Sequence, residues 1–140
     1  MFAAELESHF GGRLDGQPVT RTLALPANKT LVALHQLIRE AFAWDLGHLY
    51  SFWLDGTFWG VKESEYSAPF ELGEREAKSA HVRIDRLGLK PGQRIAYIYD
   101  FGDEWRVSLT LRGLHEEGDT GILERHGEAP PQYPDHEDRE

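Results

Sequence analysis

Alternation of apolar and polar residues between positions 94 and 112 constrains the fold most strongly. Every second residue there is aromatic or aliphatic: Ile95, Tyr97, Tyr99, Trp105, Val107, Leu109 and Leu111. A period of two is the spacing of a β-strand with one buried face. Because Gly102 lies between the two runs, a tight turn can join them. The pattern predicts an antiparallel strand pair whose apolar face needs a second layer.

One amphipathic helix is the predicted second layer. Apolar residues recur at steps of three and four from Leu31 to Phe42, and Thr30 has the side chain of an N-cap. Further strands are predicted at Val19–Leu25 and Val82–Ile84, and at Leu49–Leu54 and Thr57–Val61 around an Asp55-Gly56 turn. We expect an α+β fold: a single-domain roll, a mostly antiparallel sheet with one main helix packed across it.

Two segments are harder to interpret. Phe2, Leu6 and Phe10 are spaced four apart, which favours a short helix ending at Gly11-Gly12. One helical turn is also predicted from Asp85 to Leu89.

The length of 140 residues suits one domain, and the distribution of charge separates this domain from a C-terminal tail. Residues 115–140 hold nine acidic residues and two arginines, so we predict a domain at 1–114 and a loose acidic tail at 115–140 that contains prolines. This tail is expected either to keep the protein soluble or to act as a lid over a basic patch.

Total charge and cysteine content limit the function classes. The net charge of −9 disfavours indiscriminate binding of nucleic acid. No cysteine is present, which excludes disulfides, thiolate catalysis and cysteine-ligated metals. We expect a cytoplasmic protein with no membrane partner, because no apolar run is long enough to span a bilayer.

Two stretches carry a family resemblance. They are Leu31–Ile38 continuing to Trp44, His48, Leu49 and Phe52, and the segment Tyr97–Trp105, which contains Asp-Phe-Gly-Asp. They resemble the plasmid pRiA4b ORF-3-like family, and Ala129-Pro130-Pro131 occupies the place of its Pro-Pro segment. The resemblance covers residues 18–131. It implies a compact α+β roll found in plasmid and mobile-element contexts, with some relatives labelled resolvase-like and no reaction assigned.

The chain departs from the family pattern at three places. Only Arg21 matches the Trp-Arg-Arg usual near the first strand, and Val107 stands where a histidine is common. Gln132-Tyr133 replaces the usual Glu-Asp after Pro-Pro. A metal or acid-base site built from that histidine and those carboxylates would lack three ligands, so a metal-dependent enzyme is disfavoured.

Candidate ligand-binding residues cluster around the turn of the family motif. They are His48, Tyr99, Asp100, Asp103 and Trp105. Asp100 and Asp103 are expected to accept backbone N–H bonds across the turn. With Glu104 and His48 they offer ligands suited to Mg²⁺, but alternating strand faces would point Asp103 and Glu104 apart, so we predict no metal and no cofactor.

Aromatic residues and one further histidine leave alternatives open. His35 is expected to be a partly buried histidine that donates to a backbone carbonyl, more often structural than catalytic. Trp53 and Trp59 flank the Asp55-Gly56 turn, where one or both could form an exposed ledge that stacks bases or grips a peptide.

Four arginines provide the alternative, nucleic-acid interpretation. Arg106 and Arg112 share one strand face, and Arg83 or Arg94 would extend a basic patch from a neighbouring strand. No nucleophile elbow, P-loop or dinucleotide fingerprint is present, so enzymatic catalysis has no positive support.

The predicted function is therefore a non-enzymatic cytosolic binding module, with a cleft between the helix and the Asp-Phe-Gly-Asp turn. Its partner is expected to be a protein or peptide. The alternative is a mobile-element protein that binds nucleic acid or takes part in recombination, which the net charge disfavours.

Overall fold

The structure is a computed structural model, which describes residues 2–9, 12–13, 19–44, 48–68, 78–101, 104–114, 118 and 120–127. For residues 2–9 and 12–13 it describes the backbone and its pairing. Within these ranges the chain forms nine strands, which are in chain order β1 Phe2–His9, β2 Gly12–Arg13, β3 Val19–Ala24, β4 Tyr50–Trp53, β5 Glu65–Ser67, β6 Lys78–Ser79, β7 Arg94–Tyr99, β8 Trp105–Leu111 and β9 Gly121–His126. The α-helix of the described residues, α1, spans Leu31–Phe42.

All nine strands belong to one sheet. Their order across it is β6-β5-β4-β7-β8-β1-β3-β9, and β2 pairs with β1. Among the strand pairs that the structure describes, β5–β6 is parallel and the others are antiparallel. The predicted α+β fold, a mostly antiparallel sheet with one main helix across it, is confirmed.

The helix forms where its sequence pattern predicts. Thr30 is extended, and its hydroxyl accepts a hydrogen bond from the Ala33 N–H at 3.2 Å. At the other end, Ala43 adopts a left-handed conformation with φ of 61°, and the Trp44 N–H reaches back to the Arg39 carbonyl at 3.0 Å. The apolar side of the helix is buried.

The main core lies between the helix and the inner face of the sheet. All the alternating residues that predicted the strand pair belong to it: Ile95, Tyr97, Tyr99, Trp105, Val107, Leu109 and Leu111. On the opposite, outer face a smaller cluster of Trp53, Ala96 and Ile98 forms, and Phe58 and Phe101 pack against it.

The N-terminal helix prediction is wrong. Residues 2–9 are the strand β1, which pairs antiparallel with β8 on one side and β3 on the other. Two flanking strands outweigh the local four-residue spacing, because pairing with neighbours decides whether a segment becomes a strand.

The predicted hairpin is right at its turn and wrong in its return strand. Gly56 has a positive φ of 79° and its N–H donates to the Trp53 carbonyl, as a turn requires. Thr57–Val61 is not a strand, however, because the chain turns again and packs Phe58 against the outer face. The partner of β4 is β5.

Two more expectations need correction. Val82–Ile84 is not a strand, because Arg83 forms one isolated bridge with Thr30. A 3-10 turn follows at Ile84–Arg86 and overlaps the helical turn predicted from Asp85 to Leu89. The loose-tail expectation is wrong for Gly121–His126, which form β9 against β3. Apart from these six, the described tail residues are Gly118, Thr120 and Gly127.

A buried arginine links β3, the helix and β9. Arg21 donates from Nε to the Ala41 carbonyl at 3.0 Å, and from Nη1 to the carbonyls of His126 and Gly127, each at 3.1 Å. Burial, with a smaller contribution from Arg125, lowers the pKa of Arg21. The matched family residue thus ties together three elements of the fold. Among the described residues no helix is long and apolar enough to cross a membrane.

Candidate functional site

The turn after β7 is built from residues in an unusual backbone conformation. Asp100 and Glu104 have φ values of 66° and 53°, a left-handed region that non-glycine residues rarely adopt. The Asp100 N–H donates to the Leu49 carbonyl at 2.7 Å, and the Glu104 N–H donates to the Asp100 carbonyl at 2.6 Å. Strained residues of this kind concentrate at functional sites.

A histidine and an aspartate, both among the predicted site residues, meet at this turn. His48 Nδ1 lies 3.4 Å from Asp100 Oδ2, and their side chains are 31% and 14% exposed. The His48 ring also stands edge-on to Tyr99, with ring centroids 5.6 Å apart. The pair presents a ring nitrogen and a carboxylate oxygen that can hold a polar group.

The outer face beside the turn carries a second set of side chains. We call it the outer patch, and its members are Phe58, Trp59, Phe101, Glu104 and Arg106. Trp59 is its most exposed aromatic residue, at 41%. Its ring lies 5.1 Å from the ring of Trp53 and 5.3 Å from that of Phe101, between centroids. The two tryptophans of the predicted ledge do lie in contact. Of the two, Trp59 is exposed and Trp53 is buried beneath it.

Local backbone geometry sets the conformation of the loop that presents Trp59. Trp59 has a positive φ of 55°, which is strained for a bulky side chain. Gly60 follows, and a Cβ there would lie 2.8 Å from the Thr57 carbonyl oxygen, so the tight turn requires glycine. Beyond it, an open pocket of about 560 Å³ is lined by Gly60, Val61, Lys62, Glu63 and Lys78.

Glu104 connects Trp59 to Arg106. The indole Nε1 of Trp59 donates to Glu104 Oε1 at 3.2 Å, and Arg106 donates to the same oxygen from Nε at 3.2 Å and from Nη2 at 2.8 Å. These hydrogen bonds, foremost that of Arg106, lower the pKa of Glu104. The guanidinium of Arg106 also lies over the Phe58 ring, 5.2 Å from its centroid.

Other candidate residues are buried or lie outside the described part. Tyr99 and Trp105 are both fully buried in the main core, so they shape the turn from below and do not face a ligand in this conformation. The Tyr99 ring stacks on that of Trp44, with centroids 5.3 Å apart. Asp103 lies outside the described residues.

The four arginines do not form one patch. Arg94 and Arg106 lie on the outer face of neighbouring strands, opposite Thr110 and Ile98 respectively. Arg83 lies beside the start of the helix, where it pairs with Asp85 at 2.6 Å. Arg112 is exposed just beyond the end of β8.

His35 is buried in the main core, and its hydrogen bond differs from the expected one. Its Nδ1 shares a hydrogen bond of 2.8 Å with the Tyr97 hydroxyl, in place of a backbone carbonyl, and its ring stacks on Tyr50 at 3.6 Å between centroids. Burial, helped by the charge of Arg39, lowers the pKa of His35 to about 3. Burial also raises the pKa of Tyr50 to about 12. The imidazole is therefore neutral near pH 7.

Metal ligands do not converge within the described part of the chain. No group of three or more histidine, aspartate or glutamate side chains there is arranged to hold a metal ion. His48 and Asp100 supply two ligands of such a set.

Sequence reasoning missed Phe58 and the role of Glu104 in bridging Trp59 to Arg106. The Phe58-Trp59-Gly60 run was available as a signal, since glycine after two aromatic residues breaks a strand and favours a second turn. Nothing local in the sequence indicates that this turn reaches Glu104, 45 residues away.

Comparisons with known proteins place the chain among uncharacterised relatives. The model of a family described as plasmid pRiA4b ORF-3-like protein matches residues 13–132. The uncharacterized protein y4hQ of Sinorhizobium fredii (strain NBRC 101917 / NGR234) is 30% identical over 118 residues, which are 81% of this chain and 58% of y4hQ. The chain thus spans less than two thirds of that curated relative.

One solved structure shares the fold. The crystal structure of a protein of unknown function, MM3350 from Methanosarcina mazei Go1, matches with a TM-score of 0.71 at 19% identity. The match covers 94% of this chain and 71% of that one. At this identity the likeness concerns the fold alone.

Proposed function

This chain belongs to the plasmid pRiA4b ORF-3-like family, and we propose that it is a non-enzymatic binding module that recognises a protein or peptide through the outer patch. The observation that carries the proposal is Trp59. This large aromatic side chain is held in a strained backbone conformation and still leaves 41% of its surface exposed. Exposed aromatic anchors supply much of the binding energy in protein interfaces.

Preorganisation supports this role for Trp59. Its ring is fixed between Trp53 and Phe101, and its indole N–H is held by Glu104. A side chain that is already ordered loses little conformational entropy on binding. Val61, two residues further along the chain, is 57% exposed and lines the open pocket together with Gly60.

The outer patch is a different surface from the cleft that the sequence predicts between the helix and the turn. Tyr99 and Trp105, which would line that cleft, are fully buried. His48 and Asp100 are not members of the outer patch, although Asp100 directly precedes its member Phe101 in the chain. We place the protein in the cytosol, a compartment suited to a chain without cysteine.

A selection with random peptides tests the proposal. Displayed 12-residue peptides are selected on the immobilised full chain, and the enriched sequences are titrated against wild type, Trp59→Ala and Leu123→Ala. Leu123 is a matched control, since it is an exposed apolar residue on β9. We expect Trp59→Ala to weaken binding at least about tenfold and Leu123→Ala to leave it unchanged. An absence of enriched peptides, or equal binding to all three proteins, contradicts the proposal.

Nucleic acid is the alternative ligand, and one observation favours it. Arg106 stacked on Phe58, beside the exposed Trp59, combines a cation with a surface on which bases can stack. Two observations weigh against it: the net charge is −9, and Arg106 is neutralised by Glu104. Fluorescence polarisation with labelled single-stranded, duplex and junction DNA and with RNA, at two salt concentrations, tests it. Salt-sensitive binding that is lost in Arg106→Ala would favour this alternative.

A further inference from the structure

The binding of Glu104 within the outer patch is unusual in its geometry. Arginine commonly pairs with a carboxylate through two parallel hydrogen bonds, one to each oxygen. Here Nε and Nη2 of Arg106 both donate to Oε1, which also accepts from the indole of Trp59. Among the described residues Oε2 accepts no hydrogen bond. The three donors thus form an anion site that the Glu104 carboxylate occupies with only one of its two oxygens.

The backbone at Glu104 is strained while the side chain occupies this position. Its φ of 53° lies in the left-handed region, which disfavours residues with a Cβ. The turn holds this φ through the hydrogen bond from the Glu104 N–H to the Asp100 carbonyl. The Glu104 carboxylate can therefore leave the site by rotation of its own side chain when an external anion takes over the three donors, without a change in the turn.

Both donors have contacts with residues other than Glu104. Arg106 belongs to β8, and its guanidinium lies over the Phe58 ring. Trp59 is packed between Trp53 and Phe101. Both groups are fixed by contacts other than those with Glu104, so an arriving anion finds them already in place.

We infer that Trp59 Nε1 and Arg106 form a recognition site for a carboxylate of the partner protein, and that Glu104 occupies this site as an internal competitor. The inference rests on the proposed function and names the chemical group that the patch recognises. Binding replaces the ion pair between Arg106 and Glu104 by one between Arg106 and the partner's carboxylate. In the new pair Nε and Nη2 of Arg106 each donate to a different carboxylate oxygen.

A peptide carboxylate fits the surroundings better than a nucleic-acid phosphate. The group now in the site is itself a carboxylate, and the net charge of −9 repels a polyanion. The exposed ring of Trp59 carries one of the donors and offers apolar surface beside it, which suits an apolar side chain next to the carboxylate. A C-terminal or aspartate carboxylate beside an aliphatic residue has this chemistry.

A small-molecule titration isolates the carboxylate from the rest of a peptide. The probes are N-acetyl-leucine, which carries a carboxylate, and N-acetyl-leucinamide, which does not. The readout is the indole N–H signal of Trp59 in ¹H–¹⁵N NMR spectra of the full chain, assigned from its loss in Trp59→Phe. The variants are Glu104→Gly, in which glycine accepts the positive φ, and Glu104→Gln, which keeps the shape and removes the charge.

We expect N-acetyl-leucine to shift this signal at a concentration at least about tenfold lower in Glu104→Gly than in wild type. Glu104→Gln is expected to be intermediate, and it tests the inference by itself if the glycine variant does not fold. The amide probe should cause no saturable shift. Replacing Arg106 by alanine in the Glu104→Gln background should abolish the response to N-acetyl-leucine.

Three results would overturn the inference. Equal responses of wild type and both Glu104 variants would show that Glu104 does not compete. Equal responses to the acid and the amide would show that no carboxylate is recognised, and inorganic phosphate binding tenfold more tightly than N-acetyl-leucine would indicate a phosphate ligand. The proposed function survives each of them if selected peptides still depend on Trp59, so the two can fail separately.

Discussion

The buried His35 should make the stability of this protein fall between neutral and mildly acidic pH. Its pKa is lowered from 6.5 to about 3, first by burial and second by Arg39. In the unfolded chain this imidazole therefore binds a proton below pH 6.5, whereas in the folded chain the imidazole stays neutral until about pH 3. Because the unfolded state binds more protons in this range, stability is complete above pH 6.5 and declines as the pH falls toward 3.

The magnitude follows from the size of the shift. Each pH unit below 6.5 costs about 1.4 kcal/mol, so lowering the pH from 7.5 to 5.0 should remove about 2 kcal/mol of unfolding free energy through His35 alone. The imidazole is 6% exposed, stacked on Tyr50 and bonded to the Tyr97 hydroxyl, so solvent screens little of this effect.

The perturbation is His35→Gln, which keeps a polar group near Tyr97 and removes the titration. Urea unfolding followed by tryptophan fluorescence at pH 7.5 and pH 5.0 gives the free energy for both proteins. Contributions of all other groups are common to both, so wild type should lose about 2 kcal/mol more than the variant over this range. Equal losses in the two proteins would refute the reasoning.

Three further substitutions test the end of the helix, the link between β3 and β9, and a hydrogen bond in the main core. Ala43→Gly should stabilise the protein by about 0.5–1 kcal/mol in thermal unfolding, since Ala43 is exposed and left-handed at the helix end; a lower melting temperature would contradict this. Arg21→Met should cost about 2 kcal/mol or more and speed amide hydrogen exchange in Gly121–His126; unchanged exchange would contradict the link to β9. Tyr97→Phe removes the hydroxyl bonded to His35 and should cost about 1 kcal/mol in urea unfolding at pH 7.5, and an undiminished free energy would contradict that hydrogen bond.

The sequence predicts those parts of the fold whose signal is local and repeated. The helix Leu31–Phe42 and the strands β7 and β8 each combine one clear period with a recognisable end, and the structure confirms them. Segment 2–9 fails because its strand state depends on two partners, β8 and β3, that are distant in sequence. Local spacing carries no information about such pairing.

The candidate site was only partly predictable for the same reason. His48 and Asp100 were both predicted as site residues, and the structure brings their side chains to 3.4 Å. The outer patch depends on a second turn that carries Trp59 to Glu104, a contact set by tertiary packing. Tyr99 and Trp105 were predicted to bind a ligand, but their alternation along the strands turns them into the core.

Mapping a selected peptide onto the four tryptophan indole signals tests the central claim most directly. Trp59 is the tryptophan exposed on the outer patch, whereas Trp44, Trp53 and Trp105 are buried. On addition of a peptide enriched by the selection, we expect the largest change at the indole N–H of Trp59, and little change at those of Trp44 and Trp105 in the main core. A bound peptide that leaves the Trp59 signal in place would contradict the claim that the outer patch is the recognition surface.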